Sequence, residues 1–165
     1  LFVPDFPSLD WATWQPRDRA TLLFLVHDGR ILLIHKKRGL GQGKINGPGG
    51  RIEPGETPLA CAVRETREEL LIEALDPRER GTLSFQFADG YSLHCTVFSA
   101  TAWRGEPTET PEARPEWFPV EAIPYPRMWA DDALWLPHLL AGRDFDGWFL
   151  FAGDAMLGHR VVLRP

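Results

Sequence analysis

The sequence predicts one α/β (α+β) domain, a mixed β-sheet with helices packed against it. Three observations predict it. Short apolar runs recur around the turn dipeptides Asp28-Gly29 and Asp89-Gly90. An amphipathic segment with good start signals follows Thr57. A second apolar helical segment follows Asp131-Asp132. A chain of 165 residues fits a single domain, and 44% hydrophobic residues are enough to build its core.

Each element follows in order. Residues 1–19 are rich in Pro and Trp (Pro4, Pro7, Trp11, Trp14, Pro16) and read as an irregular arm, apart from a domain of residues 20–165. The arm is expected to pack on the domain, because exposing two tryptophans would be costly. Thr21 to His27 and Arg30 to Lys36 are strands joined by the Asp28-Gly29 turn, and residues 37–46 form a Gly-rich loop. Thr57 is a good N-cap, and Pro58 stands at the first helical position, where its missing N–H costs nothing. Leu59, Ala62, Val63, Thr66 and Leu70 recur at helical spacing and predict the buried stripe. Thr82 to Ala88 and Tyr91 to Trp103 are strands joined at Asp89-Gly90. Residues 104–115 read as a polar, Pro-rich loop, and Glu116 to Val120 as a short strand. Asp131 or Asp132 caps a helix towards Ala141, Gly142 ends it, and Pro137 is expected to kink or split it. Trp148 to Ala152 and Arg160 to Leu163 close the chain as strands.

The formal net charge of −5 argues against a nonspecific nucleic-acid binder, which would be basic. It does not exclude a nucleotide substrate, since metal ions can bridge two negative partners. Cys61 and Cys95 form no metal-ligand pattern; both read as buried thiols, which suits a reducing cytoplasm. No apolar run approaches membrane-spanning length, and no secretory signal is visible.

The chemistry concentrates in residues 50–69. A glycine-rich turn leads into the helix, where Glu65, Glu68 and Glu69 stand at i, i+3 and i+4 and crowd beside the apolar stripe. Like charges at that spacing repel unless a cation sits among them. A hard divalent ion with oxygen ligands is the natural partner, and Mg²⁺ is used mostly with phosphate substrates. The alternative for the carboxylates alone is a solvated acidic face balanced by Arg64 and Arg67.

The spacing of the whole segment resembles the box of the Nudix hydrolases. Gly50, Glu56, Arg64, Glu65, Glu68, Glu69 and Ile72 match it. Thr66 is a mild variant at an apolar position, and Leu71 replaces the second glycine, where a left-handed helix end disfavours leucine. Further stretches resemble the MutT-type branch that acts on oxidised purine nucleoside triphosphates: Lys36-Lys37-Arg38-Gly39, Asn46-Gly47, Gly49-Gly50, Phe85-Gln86-Phe87, Glu112-Ala113-Arg114-Pro115, Trp117-Phe118 and Met128-Trp129-Ala130-Asp131-Asp132. The likeness covers about residues 20–163.

The resemblance implies a mixed sheet sandwiched between helices. It implies Mg²⁺-dependent hydrolysis of oxidised purine nucleoside triphosphates such as 8-oxo-dGTP or 2-oxo-dATP to monophosphate and pyrophosphate, with Mn²⁺ as a substitute metal. Glu65, Glu68 and Glu69 resemble the metal ligands, joined by the carbonyl of Gly49 and by Glu112 as ligand or base; Glu56 and Arg64 orient the site. Asn46, Trp129, Asp131 and Asp132 resemble the base-recognition set, and Thr21, Lys36, Phe85 and Phe87 the pocket wall.

Trp129 can stack on a purine. Asn46 supplies a donor and an acceptor. Adjacent Asp131 and Asp132 would raise at least one pKa between them, giving a protonated donor near neutral pH. Core packing for Phe85, Phe87, Met128 and Trp129, helix capping for the aspartates and a solvated loop acid for Glu112 are the alternatives. Ile45, Leu40 and Pro48 stand where mammalian members of that branch have aromatic residues, so the pocket is less aromatic. The implied partner is a small nucleoside triphosphate, with no polymeric nucleic acid and no membrane, acting on a monomer or weak dimer. Hydrolysis of a nucleotide sugar, a dinucleoside polyphosphate or an RNA 5′ end is the alternative activity, and a non-catalytic nucleotide-binding module the next.

Overall fold

The computed structural model describes residues 6–165; Pro4, expected in the arm, lies outside the described residues. The elements are β1 (Asp18–His27), β2 (Arg30–Lys36), β3 (Ile45–Asn46), β4 (Gly49–Arg51), α1 (Pro58–Leu70), β5 (Glu73–Leu75), β6 (Arg78–Phe87), β7 (Ser92–Ala100), β8 (Ala102–Arg104), β9 (Ala113–Pro119), α2 (Asp132–Leu140), β10 (Phe145–Ala152) and β11 (Ala155–Leu163). The main sheet is mixed and runs β11-β10-β6-β7-β1-β2-β3, with β4 also paired to β1 and β9 to β2. Its β1–β7 and β10–β6 pairings are parallel and the rest antiparallel. A small antiparallel pair, β5 with β8, stands apart.

The central strands are apolar on both faces, which explains their unbroken hydrophobic runs. Leu23, Leu25, Leu32 and Ile34 join a core with Ala62 and Leu70 of α1. Phe24, Ile31 and Leu33 point the other way, into a core with Trp135, Leu136 and Leu139 of α2. The sheet is therefore the filling between two helices, as the resemblance implied.

The strand ends differ from the sequence reading for identifiable reasons. β6 and β10 begin at Arg78 and Phe145, earlier than the Thr82 and Trp148 expected. Gly81 and Gly147 mark close approaches within the longer strands: a Cβ on Gly81 would stand 2.2 Å from the Phe145 carbonyl, and one on Gly147 would stand 2.7 Å from the Phe149 ring. β9 begins at Ala113 rather than Glu116, and Pro115 is tolerated because the strand pairs only with β2. β1 begins at Asp18, ahead of Thr21, and β11 at Ala155, ahead of Arg160. The expected run to Trp103 breaks after Ala100, because Ala102–Arg104 turns aside to pair with β5. The loop expected over residues 37–46 ends in the short strand β3. Pro137 does not split α2, which runs unbroken from Asp132 to Leu140.

The described part of the arm packs on the domain through Trp14. Trp14 donates from Nε1 to Gln86 Oε1 at 2.9 Å, and Trp11 lies between the rings of Phe6 and Trp14 at 5.8 and 5.3 Å.

Candidate active site

Helix α1 starts as its sequence dictates. Thr57 Oγ1 accepts from the Ala60 amide at 3.1 Å, and Pro58 opens the helix. The buried face is rotated from the expected stripe. Leu59 is 45% exposed and Val63 only half-buried, whereas Cys61, Ala62, Thr66, Glu69 and Leu70 are buried. A carboxylate, Glu69, thus takes an inward position. The helix ends with Leu71 in the left-handed region at φ 59°, its amide bonded to the Arg67 carbonyl. The loss of glycine leaves the helix end unchanged and moves the cost onto the leucine backbone.

The two glycines before the helix let strand and helix approach. A Cβ on Gly49 would lie 1.9 Å from the Thr21 carbonyl oxygen, and one on Gly50 would lie 2.3 Å from the Glu65 carboxyl carbon. Into that space come carboxylate oxygens of Glu65, Glu69 and Glu112, all within 4.8 Å of one another. Gly49 donates its amide to Glu69 Oε1 at 3.0 Å. Burial pushes the Glu69 carboxyl up to about 8, helped by the charges of Glu65 and Glu112. Burial also raises Glu65. Lys36 sits among them, its pKa lowered by burial while the Glu69 and Glu65 charges pull it back up. The donor set is all oxygen, hard and crowded with like charge, so it fits a divalent ion of the Mg²⁺ class.

Glu68 stands outside this cluster. It is about half exposed, and its Oε2 accepts from Arg64 at 3.3 Å. Arg64 is the hub of the outer ring: Nε and Nη2 donate to Glu56 at 2.7 and 2.9 Å, and Nη1 donates to Glu65 at 2.8 Å. Hydrogen bonding from Arg64 holds the Glu56 carboxyl down at about 2.

A cavity of about 350 Å³ opens from the carboxylates. Its lining includes Thr21, Lys36, Asn46, Gly49, Phe85, Phe87, Glu112, Trp129, Asp131 and Asp132 together with Glu65 and Glu69. Of the expected set, Glu68 and Arg64 do not line it. Phe85 stacks on Phe149 at 5.4 Å and Phe87 on Phe151 at 5.8 Å, so each phenylalanine is both core and cavity wall. Trp129 is half-buried in the segment before α2. Asp131 holds the N-cap position without a side-chain capping bond; its Oδ2 accepts from Trp135 Nε1 at 2.8 Å instead. Asp131 Oδ1 and Asp132 Oδ2 are buried and accept from no N–H or hydroxyl among the described residues, and the two carboxyls lie close enough to share a proton. Burial raises both pKa values, Asp131 to about 6 and Asp132 further because the Asp131 charge adds to it. The Trp135 N–H stabilises ionised Asp131, and the Asp131 charge opposes a second ionisation at Asp132.

Three contributors were not read from the sequence. Arg38 donates to Glu112 Oε1 at 2.8 Å. Thr110 Oγ1 donates to the Glu69 carbonyl at 2.7 Å and accepts from the Glu112 amide at 3.3 Å, tying the loop acid to the helix. Cys95 lines the cavity floor. Arg38 lay within a stretch already singled out, but nothing local marks Thr110 among the polar residues of its loop.

Comparison with known proteins agrees with this geometry. The family model for the NUDIX domain matches residues 16–139. The chain is 41% identical over 143 residues to the oxidized purine nucleoside triphosphate hydrolase of Danio rerio, covering 86% of this chain and 92% of the relative. It is 40% identical to the protein of that name from Mus musculus, with the same coverage. The crystal structure of a MutT protein from Bacillus halodurans superposes with a TM-score of 0.79 at 30% identity, over 87% of this chain and 97% of that one.

Proposed function

This chain belongs to the NUDIX family of hydrolases, and we propose that it hydrolyses oxidised purine nucleoside triphosphates to the monophosphate and pyrophosphate with Mg²⁺. The observation that carries this reading is that one cavity joins the Glu65-Glu69-Glu112 oxygen cluster to Trp129, Asp131 and Asp132. The names of the vertebrate relatives support the same substrate class.

Glu65, Glu69 and Glu112 would hold the ion, with Glu68 and the Gly49 carbonyl completing the set and Mn²⁺ able to substitute. When bound, the ion neutralises phosphate charge and lowers the pKa of the attacking water. Water adds its oxygen to one phosphorus of the anhydride, its proton passes to a carboxylate of the site, and the bridging P–O bond breaks to give the monophosphate and pyrophosphate. Arg64 fixes Glu65 through its shared contacts with Glu56. Arg38 and Thr110 fix Glu112. Lys36 supplies positive charge beside the phosphate oxygens.

At the other end Trp129 offers a stacking face and Asn46 a donor and an acceptor. Asp131 and Asp132 line the same cavity and would meet the base edge. Asp131 accepts from a ring N–H or amino group, and protonated Asp132 donates to a carbonyl or ring nitrogen. Switching between those states suits both 8-oxo-guanine and 2-oxo-adenine.

No helix among the described residues is long and apolar enough to cross a membrane. The free, buried thiols of Cys61 and Cys95 support a reducing, cytoplasmic setting. The test is pyrophosphate release with Mg²⁺ across dGTP, 8-oxo-dGTP, 2-oxo-dATP, ADP-ribose and diadenosine polyphosphates. Preference for the oxidised purine triphosphates is expected; preference for ADP-ribose or a dinucleoside polyphosphate would overturn the substrate class.

A further inference from the structure

The glycine-rich segment between β2 and β3 folds back onto the end of β2. Gly43 donates its amide to the Lys36 carbonyl at 2.9 Å, and Lys36 donates to the Lys44 carbonyl at 3.1 Å. Its middle lies against Trp129. A Cβ on Gly41, itself at φ 82°, would stand 2.8 Å from the indole Nε1 and 3.5 Å from Asn46 Nδ2. Lys44 then sets its ammonium over the Trp129 ring, 5.0 Å from the centroid. Asp154, in the turn between β10 and β11, holds that ammonium at 3.1 Å. Phe87 and Phe151 meet the same ring edge-on, at 6.1 and 5.5 Å.

Trp129 lines both the base cavity and an adjoining one, whereas Lys44 lines only the second. The indole therefore borders both cavities, and the cation over it belongs to the second. An ammonium over an aromatic face is attracted to the negative π-cloud, which fixes the orientation of the ring. It also draws π density towards itself and leaves the opposite face electron-poor. An electron-poor face stacks best on an electron-rich ring, and an added ring oxygen makes a purine more electron-rich.

We propose that Lys44, held by Asp154, is a positioning and specificity-determining residue that sets and polarises Trp129 in favour of oxidised purines. The inference rests on the reading of Trp129 as the base-stacking residue. It assigns selectivity to a pair that does not line the base cavity.

The experiment is equilibrium binding of 8-oxo-dGMP and dGMP, and inhibition by inorganic pyrophosphate, for wild type, Lys44→Met, Lys44→Arg and Asp154→Asn. Lys44→Met should weaken 8-oxo-dGMP by roughly 5- to 10-fold, the scale of one partly desolvated cation–π contact. The loss for dGMP should be smaller, and pyrophosphate inhibition should not move. Lys44→Arg should restore binding, and Asp154→Asn should show a smaller loss in the same direction. Unchanged affinity in Lys44→Met would overturn the proposal. So would an equal loss for pyrophosphate, which would assign Lys44 to the phosphates, or equal losses for the two purines. A folding defect in Lys44→Met would appear as a lowered Tm, and Asp154→Asn, altered only at an exposed turn, then decides by whether it discriminates the two purines less than wild type. Failure of wild type itself to bind either purine nucleotide would instead sink the functional reading, and this inference with it.

Discussion

Two buried aspartates side by side are expensive in isolation, and that expense makes a prediction. Asp131 has its folded pKa raised to about 6 from the ordinary 3.8, first by burial. A raised carboxyl pKa means that the ionised form is penalised in the folded state. The penalty is absent below about pH 4, grows as pH rises to about 6 and is constant above. Asp131→Asn should therefore stabilise the free protein more at neutral pH than at pH 4. Denaturant unfolding at the two pH values checks it; equal effects at both would show that the carboxyl carries no such penalty. The ratio of kcat/KM for 8-oxo-dGTP to that for 2-oxo-dATP should also shift between about pH 6 and 9, since metal steps common to both cancel. A flat ratio would return the pair to a structural role. Glu68 invites a different test, because it stands outside the three-carboxylate cluster and on Arg64. If it joins the ion once substrate binds, Glu68→Gln should lower turnover by at least ~10²-fold with the fold intact. Near-normal turnover would confine the ion to Glu65, Glu69 and Glu112.

Among the elements, α1 was legible almost residue for residue at its start, because capping chemistry is local: Thr57, Pro58 and the Glu56–Arg64 pair need no knowledge of the sheet. Its buried face was less legible. Which side of a helix turns inward depends on what it packs against, and β1 and β4 draw Cys61 and Glu69 inward while leaving Leu59 outside. The end of α1 carries a local cost. Leu71 is at φ 59° with its side chain 57% exposed, so it gains little burial in return. Leu71→Gly should stabilise the protein by about 1 kcal/mol and raise Tm by roughly 2–4 °C, without altering kcat. A lowered Tm would mean that the leucine contacts outweigh the backbone strain. The strand starts at Arg78 and Phe145 have a non-local origin: they are set by the pairing of β6 with β10 and β7, where Gly81 meets the Phe145 carbonyl closely.

At the scale of the whole molecule the sheet order and the convergence of distant segments were beyond local reasoning. Residues 36, 46, 65, 69, 112, 129, 131 and 132 meet in one cavity only because the sheet brings β1, β2, β4 and β6 together between α1 and α2. Family likeness placed most of these residues together from sequence, whereas Thr110 and Lys44 act through partners that carry no motif. In the proposed reaction the two ends of this cavity divide the work, the carboxylates handling the phosphates and the Trp129 end the base. Steady-state kinetics of Glu69→Gln and Trp129→Ala on 8-oxo-dGTP, side by side, test it most directly. Glu69→Gln should lose at least ~10²-fold in kcat with little change in KM. Trp129→Ala should raise KM by the equivalent of roughly 1–3 kcal/mol of lost stacking with kcat nearly kept. Near-wild-type kcat in Glu69→Gln, or an unchanged KM in Trp129→Ala, would contradict that division.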